Sequence, residues 1–184
     1  MALRLPTGAT FLHVPKTGGT YVRKALQAAG VFSEPFKGKH EPIAWQDIQG
    51  PVFMVVRHPV ALLRSYWLHM MTYGWSAERE FDDCQHTDLV AFLQRIAEEA
   101  PGAVGRLYSA FYDPVEAEAC VGHTESLTAD LVAFLDECGI DYNRDQLYLT
   151  PMANVAQMAP PELDHEHVDI IRQSEPETFE LWGY

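Results

Sequence analysis

Eight residues near the N-terminus, His13-Val14-Pro15-Lys16-Thr17-Gly18-Gly19-Thr20, gather the groups that hold a phosphate or a sulfate. Paired glycines let the backbone come close to a ligand, and the N–H groups that open a helix favour an anion. Lys16 adds a compact, mobile charge, and Thr17 and Thr20 add hydroxyl donors. The order differs from that of a Walker A loop, where the lysine follows the second glycine. Here Lys16 precedes the pair, which disfavours an ordinary ATP or GTP site and an NTP-dependent kinase with it. A second set follows at Arg57-His58-Pro59 and Arg64-Ser65-Tyr66. The planar fork of Arg57 suits a phosphate, and Ser65 lies about two helical turns beyond Pro59. Taken singly, each set also suits a structural role: a glycine turn with a surface lysine, or an arginine at the edge of a sheet with a serine in an ordinary helix.

Both sets need elements to aim them. Thr10 to Val14 is a short β-prone run ending at Pro15 and reads as a buried strand. Behind the glycines, Val22, Ala25, Leu26 and Ala29 fall at i, i+3, i+4 and i+7, an amphipathic helix stopped by Gly30. A short helix is expected across Ile43 to Ile48. Pro51 to Val56 is apolar on both faces, as in a central parallel strand, and Pro59 suits the first turn of a long helix toward Tyr73. Further helices are expected behind Thr87, over Leu131 to Cys138, after Pro160-Pro161, and after the capping-box pattern Ser174-Glu175-Pro176-Glu177, with a weaker strand at Ala117 to Gly122. Strand–turn–helix units in this order imply an α/β fold, a three-layer P-loop-like parallel sheet flanked by helices, as a single domain over residues 1–184. Arg57 then sits at the carboxyl end of the central strand, where open α/β sheets bind ligands.

Charge narrows the ligand. The chain of 184 residues has 47% hydrophobic content and a formal net charge of −13. Residues 1–66 hold eight basic residues against three acidic ones, a net +5, whereas the remainder holds five arginines against 23 acids, a net −18. A protein this acidic is a poor ligand for nucleic acid, whose affinity comes mainly from Lys and Arg on phosphates. The local basic excess suits a small anion instead, or is a solvated face. No apolar run reaches the ~18 residues of a membrane span, and Met1 to Thr10 lacks the order of a signal peptide. Cys84, Cys120 and Cys138 form an odd set with no C-x-x-C, which reads as free thiols in a reducing, cytoplasmic setting.

In this arrangement H-V-P-K-T-G-G-T resembles the 5′-phosphosulfate loop of sulfotransferases that use 3′-phosphoadenosine 5′-phosphosulfate (PAPS), and R-x-P-(x)5-S-Y resembles their 3′-phosphate motif. The version resembled most is the carbohydrate-type branch that includes heparan-sulfate 2-O-sulfotransferases and bacterial relatives. The likeness continues more weakly through Val121-Gly122-His123-Thr124-Glu125, the loop from Leu149 to Asn154, and the closing Leu181-Trp182-Gly183-Tyr184. It implies that Lys16 and the backbone of Thr17, Gly18, Gly19 and Thr20 hold the 5′-phosphosulfate, with Lys16 near the bridging oxygen. It further implies that Arg57 and Ser65 grip the 3′-phosphate, and that Asn154 is a weaker contact. His123 departs from the family, which often has arginine there.

An acceptor hydroxyl must lose a proton, which calls for a histidine or carboxylate within reach. His40 is the expected base: it lies in the irregular segment before the central strand, where the resembled branch carries its catalytic histidine, and Lys37 and Lys39 would favour its neutral form. Glu41 is the substitute. His13 is expected to be a packed residue orienting the loop, and His58 to fill a variable slot. His165 and His167 stand at i and i+2 and face apart on a helix, so no metal site is expected. The function implied is transfer of the sulfuryl group of PAPS to a hydroxyl, releasing PAP. The alternative is a non-catalytic PAP-binding module. The acidic C-terminal portion disfavours polyanionic acceptors and leaves a small molecule or weakly charged glycan, with a homodimer or partner subunit able to complete the pocket.

Overall fold

A computed structural model describes residues 2–38, 41–75, 79–152 and 161–184. The chain forms two compact units, Met1–Arg57 with Tyr108–Val155 and His58–Leu107 with Ala156–Tyr184.

The first unit holds a five-stranded sheet in the order β3-β1-β2-β4-β5. Its strands are β1 (Leu3–Arg4), β2 (Thr10–Leu12), β3 (Glu34–Pro35), β4 (Val52–Val56) and β5 (Ala119–His123). β2, β4 and β5 are parallel, in the register Leu12↔Met54 and Val56↔His123. β1 runs antiparallel to both β2 and β3, so the sheet is mixed rather than the parallel sheet that the strand–turn–helix order implies. The reason is local. β1 and β2 are joined by a tight turn, closed by the Leu5 N–H on Ala9 O at 2.8 Å, and so short a connection can join only antiparallel neighbours.

β4 is buried at every position, and its alternate residues Phe53 and Val55 face the core of this unit. There they meet Phe11, the helix α1 (Gly19–Ala28) through Val22, Ala25 and Leu26, and a later helix over Leu127–Glu137 through Leu131, Phe134 and Leu135. The rings of Phe53 and Phe134 stack at 5.0 Å. Gly122 on β5 makes this approach feasible, since a Cβ there would lie 2.9 Å from the Phe53 ring.

The second unit is helical. It contains α2 (Pro59–Tyr73), α3 (Glu80–Asp83), α4 (Leu89–Glu99), α8 (His165–Ser174) and α9 (Pro176–Leu181), and α5 (Ala103–Tyr112) begins in it. The helix over Leu127–Glu137 is α6, and α7 (Arg144–Leu149) follows it, both in the first unit. Pro59 opens α2 as expected, and Asp88, one residue after the expected Thr87, caps α4 by accepting the Ala91 N–H at 2.9 Å. Tyr66 anchors α2 by donating to the buried Asp82 at 2.5 Å. No helix among the described residues is long and apolar enough to cross a membrane. Cys84, Cys120 and Cys138 are free thiols, and burial pushes each of them up.

The capping-box pattern at Ser174 resolves differently from its sequence expectation. α9 does start there, but Ser174 ends α8 and its hydroxyl turns back to Ile171 O at 3.1 Å. Glu175 instead sends its buried carboxylate to the first turn of α5, accepting the Val104 N–H at 2.8 Å, the Gly105 N–H at 3.1 Å and the Thr178 hydroxyl at 2.6 Å. Gly105 allows the approach, because a Cβ would sit 2.6 Å from Thr178 Oγ1. Burial pushes the Glu175 carboxyl above its ordinary range, against the pull of those three hydrogen bonds and of the Arg106 guanidinium. A folded-state value above the unfolded one makes this group's contribution complete below the unfolded carboxyl value of ~4.3 and progressively lost as pH rises through the folded value. Thermal unfolding across about pH 4 to pH 8 should therefore show Glu175→Gln less stable than the native chain by about 1–3 kcal/mol at the acid end, with the gap narrowing as pH rises. A gap that is constant or widens toward neutral pH would contradict this account.

Candidate functional site

The three parallel strands finish on one edge of the sheet, and the residues that follow them meet there. The loop after β2 turns through Lys16, whose φ of 64° is left-handed, and through Gly18, at φ 90°, the residue before α1. A lysine in that region is strained by roughly 1–2 kcal/mol and persists only where its surroundings hold it. The restraint is visible: Arg57, the residue after β4, donates from Nη1 to Lys16 O at 3.1 Å. Arg57 is itself pinned. The buried Tyr108 hydroxyl accepts the Arg57 N–H at 3.0 Å and donates to Arg57 O at 2.6 Å, so one phenol fixes both sides of the residue.

Thr124, the residue after β5, closes the set. Its hydroxyl lies 3.0 Å from Val56 O and 3.2 Å from Thr17 O. Asp130 on α6 steadies the same end of β5 by accepting the His123 N–H at 2.7 Å and the Ser126 hydroxyl at 2.6 Å. Gly18, the residue before α1, supplies no side-chain cap, and the first turn of α1 carries no acidic residue. The half-buried Lys16 and Arg57 thus share one edge with an uncapped helix start, a combination that suits an anion.

The glycines have a second reason to be there. A Cβ on Gly18 would lie 2.7 Å from Leu127 Cδ2, and one on Gly19 would lie 2.0 Å from the nearest atom of the His13 ring. Close approach is thus required by the chain's own side chains, and His13 braces the loop as its place in the sequence suggests. Thr17 is buried, and its hydroxyl donates to Val14 O at 2.9 Å, so this side chain shapes the turn. Thr20 follows in the first turn of α1, half-buried.

Ser65 is half-buried on α2 and belongs to the second unit, as does Arg64, which donates to Pro161 O at 3.2 Å. His40, Lys39 and Asn154 lie outside the described residues. Glu41 is exposed and accepts the Gly38 N–H at 2.9 Å. Lys37 pairs with Asp47 at 3.1 Å. His167 contacts Asp164 at 2.6 Å, and among the described residues there is no group of three or more His, Cys, Asp or Glu side chains that could hold a metal ion. Sequence reasoning missed Tyr108, which sits in a helix with no clear signal. It noticed Thr124 only as part of a weak likeness.

Replacing Gly19 by Ala should destabilise the fold by about 1–3 kcal/mol through collision with His13, read as a lowered melting temperature. Pairing it with His13→Ala should recover part of that loss in a double-mutant cycle. Simple additivity of the two changes would show that the ring and the glycine do not interact. No family model matches the chain, and no curated protein or solved structure is a match to it either.

Proposed function

We propose that the protein is a PAPS-dependent sulfotransferase, moving the sulfuryl group to a hydroxyl of a small molecule or weakly charged glycan. The observation that carries this reading is the contact between the two motifs. Lys16 of the first and Arg57 of the second stand 41 residues apart, yet are joined by a 3.1 Å hydrogen bond. A P-loop-like role for the strand–loop–helix from β2 to α1 belongs to the same reading, supported by the left-handed turn at Gly18 and the uncapped start of α1.

In the proposed reaction the acceptor oxygen attacks sulfur in line as the bond from sulfur to the 5′-phosphate oxygen breaks. The sulfuryl group moves to the acceptor, the electron pair stays on PAP, and the acceptor proton goes to a base, for which His40 is the sequence-derived choice. Negative charge grows on the leaving phosphate, so the Lys16 ammonium and the N–H groups opening α1 interact more strongly in the transition state than in the ground state. Arg57 holds the loop through Lys16 O, and on the resemblance alone Arg57 and Ser65 are carried as the 3′-phosphate ligands.

Calorimetry should show tight binding of PAP and weak binding of ATP, and incubation with PAPS and a panel of hydroxyl acceptors should yield sulfated product. Lys16→Ala should lower transfer by about 10²–10³-fold with an unchanged melting profile. PAP binding with no transfer to any acceptor would favour the non-catalytic module, and ATP binding tighter than PAP would sink the reading altogether.

A further inference from the structure

Thr124 ties together the ends of three strands. It follows β5 directly, its hydroxyl reaches the last carbonyl of β4 at 3.0 Å, and the same hydroxyl reaches Thr17 O, in the loop after β2, at 3.2 Å. A threonine hydroxyl carries one hydrogen, so the two carbonyls share it. The consequence for the loop follows from peptide geometry. Across the planar trans peptide that joins Thr17 to Gly18, the C=O and the N–H point in opposite directions. Holding Thr17 O toward Thr124 therefore fixes the direction of the Gly18 N–H away from it. Gly18, at φ 90°, is the residue of the loop with the widest conformational choice, so its N–H gains most from such a tether.

We infer that Thr124 is a positioning residue for the anion loop: by orienting the Thr17–Gly18 peptide it presents the Gly18 N–H as a preorganised donor to the bound anion. This rests on the reading of the loop as an anion cradle. It adds that the cradle is held in shape from β5, about 107 residues further along the chain. Thr124 does not touch the ligand itself; it acts through the peptide it orients. The arginine that the resembled family often carries at position 123 is replaced here by His123, whose own N–H is held by Asp130 at 2.7 Å, so the strand end that supplies Thr124 is itself fixed.

The test compares the native chain with Thr124→Val, which loses the hydroxyl, and Thr124→Ser, which keeps it. Binding of PAP and of inorganic pyrophosphate is measured by calorimetry, with a thermal melt of each protein alongside. Thr124→Val should bind both anions about tenfold more weakly, the equivalent of one hydrogen bond, and Thr124→Ser should stay within about twofold of the native chain. Thr124→Ala replaces the valine variant if that one does not fold. A folded Thr124→Val with native affinity, or a Thr124→Ser as weak as the valine variant, would overturn the inference, because a purely structural threonine would move the melt and leave affinity alone. If the native chain binds pyrophosphate but not PAP, the donor assignment fails while the pyrophosphate series still decides the role of Thr124. If it binds neither, both fail together.

Discussion

Parallel pairing of β2, β4 and β5 is the constraint on which the candidate site depends. Three strands running the same way must end on one edge, so the loop after β2, Arg57 after β4 and Thr124 after β5 converge without further instruction. Convergence alone would leave three independent loops. The hydrogen bond from Arg57 to Lys16 O and the hydroxyl of Thr124 between Val56 O and Thr17 O make them one object. The left-handed Lys16 is where this is tested most severely, since a residue with a Cβ resists that conformation and is kept in it by contacts from another strand.

The two glycines illustrate how one sequence feature can answer to two demands. A glycine pair at the start of a helix is commonly read as room for a ligand's phosphate. Here Gly18 and Gly19 also make room for Leu127 and His13, and Gly18 supplies the left-handed turn that aims α1. The two demands agree rather than compete. Bracing from His13 and Leu127 restricts a stretch that glycine would otherwise leave soft, and a restricted donor array binds an anion with less reorganisation than a floppy one.

Much of this was legible because long periodic segments and caps speak plainly. Pro59 and the apolar run before it located α2 and, to within one residue, β4, and the spacing of Val22, Ala25 and Leu26 located the buried face of α1. What escaped was short or irregular. β1 and β3 are two residues each, too brief to show any period, and β1, which runs against both of its neighbours, turns a parallel sheet into a mixed one. α5 begins Ala103-Val104-Gly105, and a glycine in the first turn argues against a helix until its partner Glu175, about 70 residues away, is known to require it. Tyr108 was invisible for the same reason: its importance is a tertiary contact with the Arg57 backbone, which no local pattern encodes.

Net charge, by contrast, was a blunter guide than it first looks. The excess of +5 in residues 1–66 is not a single basic patch. Arg4 lies over the Phe36 ring at 3.9 Å, Lys37 pairs with Asp47, Arg23 and Lys24 are exposed on α1, and Arg64 bonds Pro161 O within the second unit. Lys16 and Arg57 meet at the carboxyl edge. Electrostatic attraction over a distance is screened within roughly 8–10 Å at ordinary ionic strength. The sum over a third of the chain therefore matters less to a bound anion than a guanidinium held against the loop itself. The contrast between two helix starts makes the same point. The first turn of α5 receives a buried carboxylate from Glu175, whereas α1 is preceded by Lys16 and carries no acid in its first turn. The same partial positive charge is met from within the chain in one place, and in the other it is reinforced by a cation, which favours a negative partner from outside.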